Sequence, residues 1–145
     1  MSRNRIKKLI GKLVVLLCVV VMLCGCGAPT KDPIAEDYLV KMLDAIEKED
    51  VDAACSLCTD KMLEENDLEA GIELLHDNWD GGEYTYKLIS SNVTKSYTTD
   101  GNYKTINCNY EVVTKENSYV FEVTYIKDKG LAGFYMHKKY DPESK

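Results

Sequence analysis

The sequence predicts an α+β domain in which N-terminal helices pack on a curved, four-stranded antiparallel sheet. Three observations carry that expectation. Apolar residues recur at helical spacing as far as Trp79, they alternate singly along the runs that follow Tyr84, and Asp80-Gly81-Gly82 separates the two regimes.

The first helix is expected from Ile34 to Glu49. Ile34, Tyr38, Leu39, Met42, Leu43 and Ile46 form one stripe, Asp32 is placed to cap it, and Pro33 suits the first helical position. Glu49-Asp50 ends it. A short second helix, Val51 to Cys58, offers Ala54, Leu57 and Cys58 inward, and Asp60-Lys61-Met62-Leu63 continues as a further turn. A third helix is expected to start at Asn66, with Glu69 completing a capping box and Leu68, Ile72, Leu75 and Trp79 as its face.

Strands are expected over 84–97, 102–114, 118–127 and 131–138. Ile106, Cys108, Tyr110 and Val112 alternate with polar residues, as do Phe121, Val123 and Tyr125. The polar turns Thr99-Asp100-Gly101-Asn102, Lys115-Glu116-Asn117 and Lys127-Asp128-Lys129-Gly130 separate these runs. Most of the ten tyrosines fall on the strands, where a ring with a wet hydroxyl suits a half-exposed sheet.

Ahead of the domain lies a different kind of segment. Met1 to Lys12 carries five basic residues and no acid, Leu13 to Leu23 is apolar, and Gly25-Cys26 follows. Basic, then apolar, then small is the order of a secretory signal peptide. The eleven-residue apolar run falls short of the roughly 20 residues a spanning helix needs. Leu23-Cys24-Gly25-Cys26 resembles the bacterial lipobox, with an aliphatic residue three before the cysteine and a small residue directly before it. The resemblance implies a diacylglyceryl group on Cys26 and cleavage between Gly25 and Cys26. Two acyl chains suffice for stable anchoring, so the expected location is the extracytoplasmic face of the cell membrane. The expected organisation is a signal peptide (1–25), a lipidated tether (26–33), one α+β domain (34–140) and a tail (141–145).

Charge is unevenly distributed. Asp32 to Glu83 holds 17 acids and 3 lysines, a net of −14, while Tyr84 to Lys145 holds 7 acids and 9 lysines, a net of +2. So acidic a surface argues against nucleic acid, which requires a cationic one. The expected partners are the membrane, through the anchor, and an envelope protein, a peptide or a small ligand.

Ala45-Ile46-Glu47-Lys48-Glu49-Asp50 followed by Val51-Asp52-Ala53-Ala54 resembles the opening of small bacterial domains of the nuclear-transport-factor-2-like, cystatin-like superfamily. The run from Val123 to Phe134, with Gly130 at its turn, resembles their final hairpin. The likeness spans most of residues 34–138 and implies a sheet wrapped on a long helix to form a cone with a pocket. That superfamily hosts enzymes and binders alike, so the fold implies no activity.

Cys55 and Cys58, with Cys108, are the candidate chemical residues. They read as buried thiols acting as small hydrophobes, one structural disulfide, a redox pair, or zinc ligands. A redox pair at this spacing normally opens a helix, whereas this one closes a short helix among acids. Zinc would need His76 or His137 as a fourth ligand, and no second close-spaced ligand pair supports that. Neither metal nor cofactor is expected beyond the lipid. His76 lies off its helix's apolar stripe and is expected to face solvent, and His137 falls near the end of the last strand. Glu111 and Glu122 alternate with the apolar face and so point outward, leaving no acid on an inward strand position. No phosphate loop, nucleophile elbow or metalloprotease helix is present in the sequence. The favoured reading is a non-catalytic binding or interaction domain. The alternatives are a small enzyme using the cone pocket and a thiol-redox lipoprotein using Cys55 and Cys58. A pocket lined by inward polar groups would favour the enzyme, and one filled by Tyr and Trp would favour the interaction module.

Overall fold

The computed structural model describes residues 31–99 and 101–139. Gly25, Cys26, most of the tether and the tail lie outside the described residues. The architecture is α+β, with four helices followed by a four-stranded antiparallel sheet of order β1-β2-β3-β4.

Helix α1 (Pro33–Glu47) starts as expected. Asp32 Oδ1 accepts from the backbone N–H groups of Ile34 and Ala35, and Pro33 occupies the first turn. Ala35, Leu39, Met42, Leu43 and Ile46 are fully buried. The helix stops at Glu47, two residues before the expected Glu49, which instead turns left-handed at φ 50°, and Asp50 at once caps α2 (Val51–Leu57) through Ala53 N–H. Thr59 caps α3 (Asp60–Glu65), and Asp67 caps α4 (Leu68–Asn78). The last cap corrects the expectation of a start at Asn66. The Asn66 amide is spent on the Met62 carbonyl, 2.9 Å away, closing α3, while Asp67 takes the Ala70 N–H.

The strands are β1 (Tyr84–Thr98), β2 (Gly101–Thr114), β3 (Ser118–Ile126) and β4 (Gly130–Lys138), each within a residue of its expected limits. Ile106, Cys108, Tyr110 and Val112 on β2, and Tyr119, Phe121, Val123 and Tyr125 on β3, are all buried on the helix side. Register shifts at Leu88/Ser90 and Thr124/Tyr125 put an extra residue into one strand of each pair, which bends the sheet.

The sheet's two margins differ. At β4, the end of α2 comes down onto the strand: Cys58 bridges Leu131, and Thr59 N–H donates to the Leu131 carbonyl at 2.8 Å. That approach depends on Gly130, at φ 132°, because a Cβ there would stand 2.9 Å from the Leu57 carbonyl oxygen. At β1, no residue is fully buried over all fifteen positions.

Candidate functional site

The interior of the fold is filled by rings. Trp79, one residue past α4, is 8% exposed, and its ring centroid lies 5.8 Å from Tyr84, 5.1 Å from Tyr119 and 5.6 Å from Phe121. Phe134 meets Phe121 with ring centroids 5.5 Å apart and planes tilted by 47°. Asp80, directly after Trp79, locks this cluster to the β2–β3 turn by accepting from Thr114 Oγ1 at 2.7 Å and Asn117 Nδ2 at 2.8 Å. Burial raises the Asp80 pKa, but hydrogen bonds from Asn117, Thr114 and Tyr119 outweigh it and hold the carboxyl below its usual range. Burial, then the bond to Asp80, pushes the Tyr119 phenol up to about 12.

A second acid on the helix side of β2 and β3, besides Asp80, comes from the chain entry rather than from a strand. Asp32 Oδ2 accepts from Tyr125 Oη at 2.9 Å and lies 3.7 Å from Cys108 Sγ, while Tyr110 Oη points to the Asp32 backbone carbonyl at 3.5 Å. An acid beside a tyrosine suggests proton chemistry, but the contacts say otherwise. Oδ1 already takes two backbone N–H groups and Oδ2 takes the phenol and the thiol, so no lone pair is left for a substrate proton. Burial first, and then Asp32, raises the Tyr125 pKa, which keeps the phenol a donor. The cluster is a clasp that fixes where the chain enters the domain. Strand alternation cannot reveal it, because the helix-capping signal at Asp32 accounts for only one of the two carboxylate oxygens.

Cys55, Cys58 and Cys108 are all free thiols. Cys55 lies within α2, and Cys58 follows its end with extended backbone, giving its S–H to the Ala54 carbonyl at 3.3 Å. Burial, then the neighbouring Cys55, pushes the Cys58 thiol up to about 11. That is opposite to the depression an attacking thiolate requires. Cys108 is fully buried between Asp32 and Ser91, and burial raises its pKa as well. Among the described residues no three Cys, His, Asp or Glu side chains gather as metal ligands. A raised thiol pKa has a direct readout: Cys58 alkylation in the folded protein should be slow at pH 8 and keep accelerating toward about pH 11. Peptide mass mapping after timed iodoacetamide treatment measures this, and a rate that levels off below pH 9 would contradict it.

His76 is a correction. Its ring is half-buried rather than solvent-facing, with Nδ1 donating to the Ile46 carbonyl at 2.9 Å and Nε2 3.9 Å from Glu49. It adds a second donor to the Ile46 carbonyl at the C-terminus of α1, which also accepts from Glu49 N–H at 3.2 Å, a role set by tertiary packing thirty residues away. Glu111 and Glu122 do point outward. Glu111 lies between Lys87 at 3.0 Å and Lys139 at 2.6 Å, whose hydrogen bonds hold its carboxyl below the usual range. Glu122 lies 3.4 Å from His137.

What the sequence does not reveal is how little covers β1. Register with β2 pairs Tyr86 with Val112, Leu88 with Tyr110, Ser91 with Cys108 and Val93 with Ile106, so these β1 residues share the helix-side face. These β2 partners are buried, yet Tyr86 and Val93 are 39% and 48% exposed; Tyr97, opposite the exposed Asn102, is 74% exposed. Among the described residues the only partly buried hydrophobics of β1 packed against the core are Tyr84 and Leu88, and no strand pairs with its outer side, so β1 presents both a free edge and an apolar face. The weaker alternation after Leu88 (Ser90-Ser91-Asn92-Val93) is the sequence signal of that missing cover.

No helix among the described residues is long and apolar enough to cross a membrane. No curated protein and no solved structure matches the chain. A family model described as a domain of unknown function, DUF5104, matches residues 41–135, from the middle of α1 to the middle of β4, and the chain belongs to that family.

Proposed function

We propose that this protein is a lipid-anchored, extracytoplasmic interaction domain of the cell envelope, held by a diacylglyceryl group on Cys26 and meeting its partner along β1. The basic and apolar leader ending in Leu23-Cys24-Gly25-Cys26 supports the anchor. The observation that carries the interaction reading is the contrast between a ring-filled interior and an uncovered strand. A catalytic pocket needs convergent polar groups with free valences. Here the interior is taken up by Trp79, Tyr119, Phe121 and Phe134, and both acids that reach it, Asp32 and Asp80, are held by their own hydrogen-bond partners. Helices followed by a four-strand meander also support the likeness to the nuclear-transport-factor-2-like, cystatin-like cone, in a form whose cavity has been closed by side chains.

Intact mass of the native protein tests the anchor. It should begin at Cys26 and carry the diacylglyceryl group, and Cys26→Ala should abolish the lipid mass and retain residues 1–25. A native product beginning at Met1 with an unmodified Cys26 would overturn the anchor. A photo-crosslinking residue placed at Tyr97 should give discrete adducts in intact envelopes, and the same residue at Glu69 on α4 should not. Equal yields from both positions would remove β1 as the contact surface.

A further inference from the structure

We infer that the partner of β1 is β1 of a second copy, the two strands pairing antiparallel about a two-fold axis through Ser91 to make one eight-stranded sheet. The inference rests on the reading of β1 as the contact surface, and three features of the chain support this occupant.

First, β1 is complementary to itself when centred on Ser91. Opposite residues of an antiparallel pair lie on the same face, and Ile89 is already the extra residue against β2. Stepping over Ile89 in the same way and centring on Ser91 sets Ser90 against the second copy's Asn92 and Leu88 against its Val93. It continues with Lys87 against Thr94, Tyr86 against Lys95, Thr85 against Ser96 and Tyr84 against Tyr97. Every pair then joins residues of one face. The exposed Val93 and Tyr97 gain Leu88 and Tyr84 as neighbours, Lys95 comes to a tyrosine ring, and no two like charges oppose each other.

Second, the alternative margin is interrupted. Thr59 already occupies the Leu131 carbonyl of β4, so an added strand meets a continuous free edge only at β1. Third, the chain entry lies at the level of this axis. Cys108, which pairs with Ser91, is the residue whose thiol faces Asp32. A two-fold axis perpendicular to a shared sheet puts equivalent faces on the same side. Both chain entries therefore emerge on one face near the axis, and anchors carried on residue 26 of each copy would reach the same bilayer.

The test uses the full native protein in detergent, with its intact mass recorded in the same sample so that loss of the anchor is read separately from loss of the dimer. Native mass spectrometry and light scattering should report twice the protomer mass at about 100 μM. That concentration reveals any Kd tighter than roughly 10⁻⁴ M. Because the free Cys108 thiol lies 3.6 Å from Ser91 Oγ, the cysteine is placed in a Cys108→Ala background. There Ser91→Cys should form an intermolecular disulfide under mild oxidation, mapped to position 91 in both copies, since Cα atoms of opposed residues fall about 4.5–5.5 Å apart. Val93→Lys, at an exposed position, should keep its far-UV spectrum and weaken the dimer by about tenfold or more. A monomer at that concentration would sink the proposal, as would a disulfide confined to other cysteines or an unweakened Val93→Lys dimer. Tyr97 photo-adducts at masses other than twice the protomer would replace the second copy with a different protein.

Discussion

Gly130→Ala should lower the melting temperature further than any other single methyl added to this fold, by roughly 12–20 °C for a loss of about 3 kcal/mol in a domain near 100 residues. Two penalties coincide there. The backbone sits at φ 132°, a region closed to L side chains, and the new methyl would meet the Leu57 carbonyl oxygen at 2.9 Å, Cys58 C at 3.2 Å and Thr59 N at 3.3 Å. All three are backbone atoms, so no rotamer change relieves the contact. The end of α2 would have to lift from β4, breaking the Thr59–Leu131 hydrogen bond. Gly82→Ala separates the two penalties, because φ is 74° there but no atom lies within 4 Å. Its cost should be only the strain of a left-handed residue, about 1–2 kcal/mol. Thermal melts of the two variants side by side decide the point, and equal losses would mean that the close approach of α2 contributes nothing.

Trp79→Ala should cost about 3–5 kcal/mol, near the whole stability of a marginal domain, and the variant should unfold or accumulate poorly at 37 °C. The indole joins α4 to the sheet through Tyr84, Tyr119 and Phe121, and no other ring among the described residues meets all three. Trp79→Phe is the informative companion. The indole N–H is buried with no acceptor, so phenylalanine loses ring area but also removes an unsatisfied donor. Its net loss should be no more than about half that of alanine. Denaturant unfolding monitored by far-UV circular dichroism gives both values. If phenylalanine proved as damaging as alanine, the Nε1 hydrogen would have to serve a partner in solution.

Local periodicity explains how much of this fold could be read in advance. The α1 stripe and the alternation along β2 and β3 each report one buried face, so element types, strand limits and inward residues followed directly. Asp32 and Pro33 are short-range signals and were equally legible. Features that depend on distant neighbours were not. His76 finds Ile46 across thirty residues, and Tyr125 finds Asp32 across ninety-three. Asn66 and Asp67 are both good cap residues, and the choice between them falls to whichever has its side chain left over after α3 closes. The open face of β1 escaped for a related reason, since a strand's own alternation says which residues share a side but not whether a helix reaches that far.

The mismatch between the two sides of the sheet limits what it can build. A protein whose strands are bare at both margins can add copies without end and grow into fibres. Here Thr59 plugs one side, so growth by strand addition can proceed in a single direction. Were two bare sides to meet, no second bare margin would remain for a third copy, and strand addition would close on a pair instead of a filament.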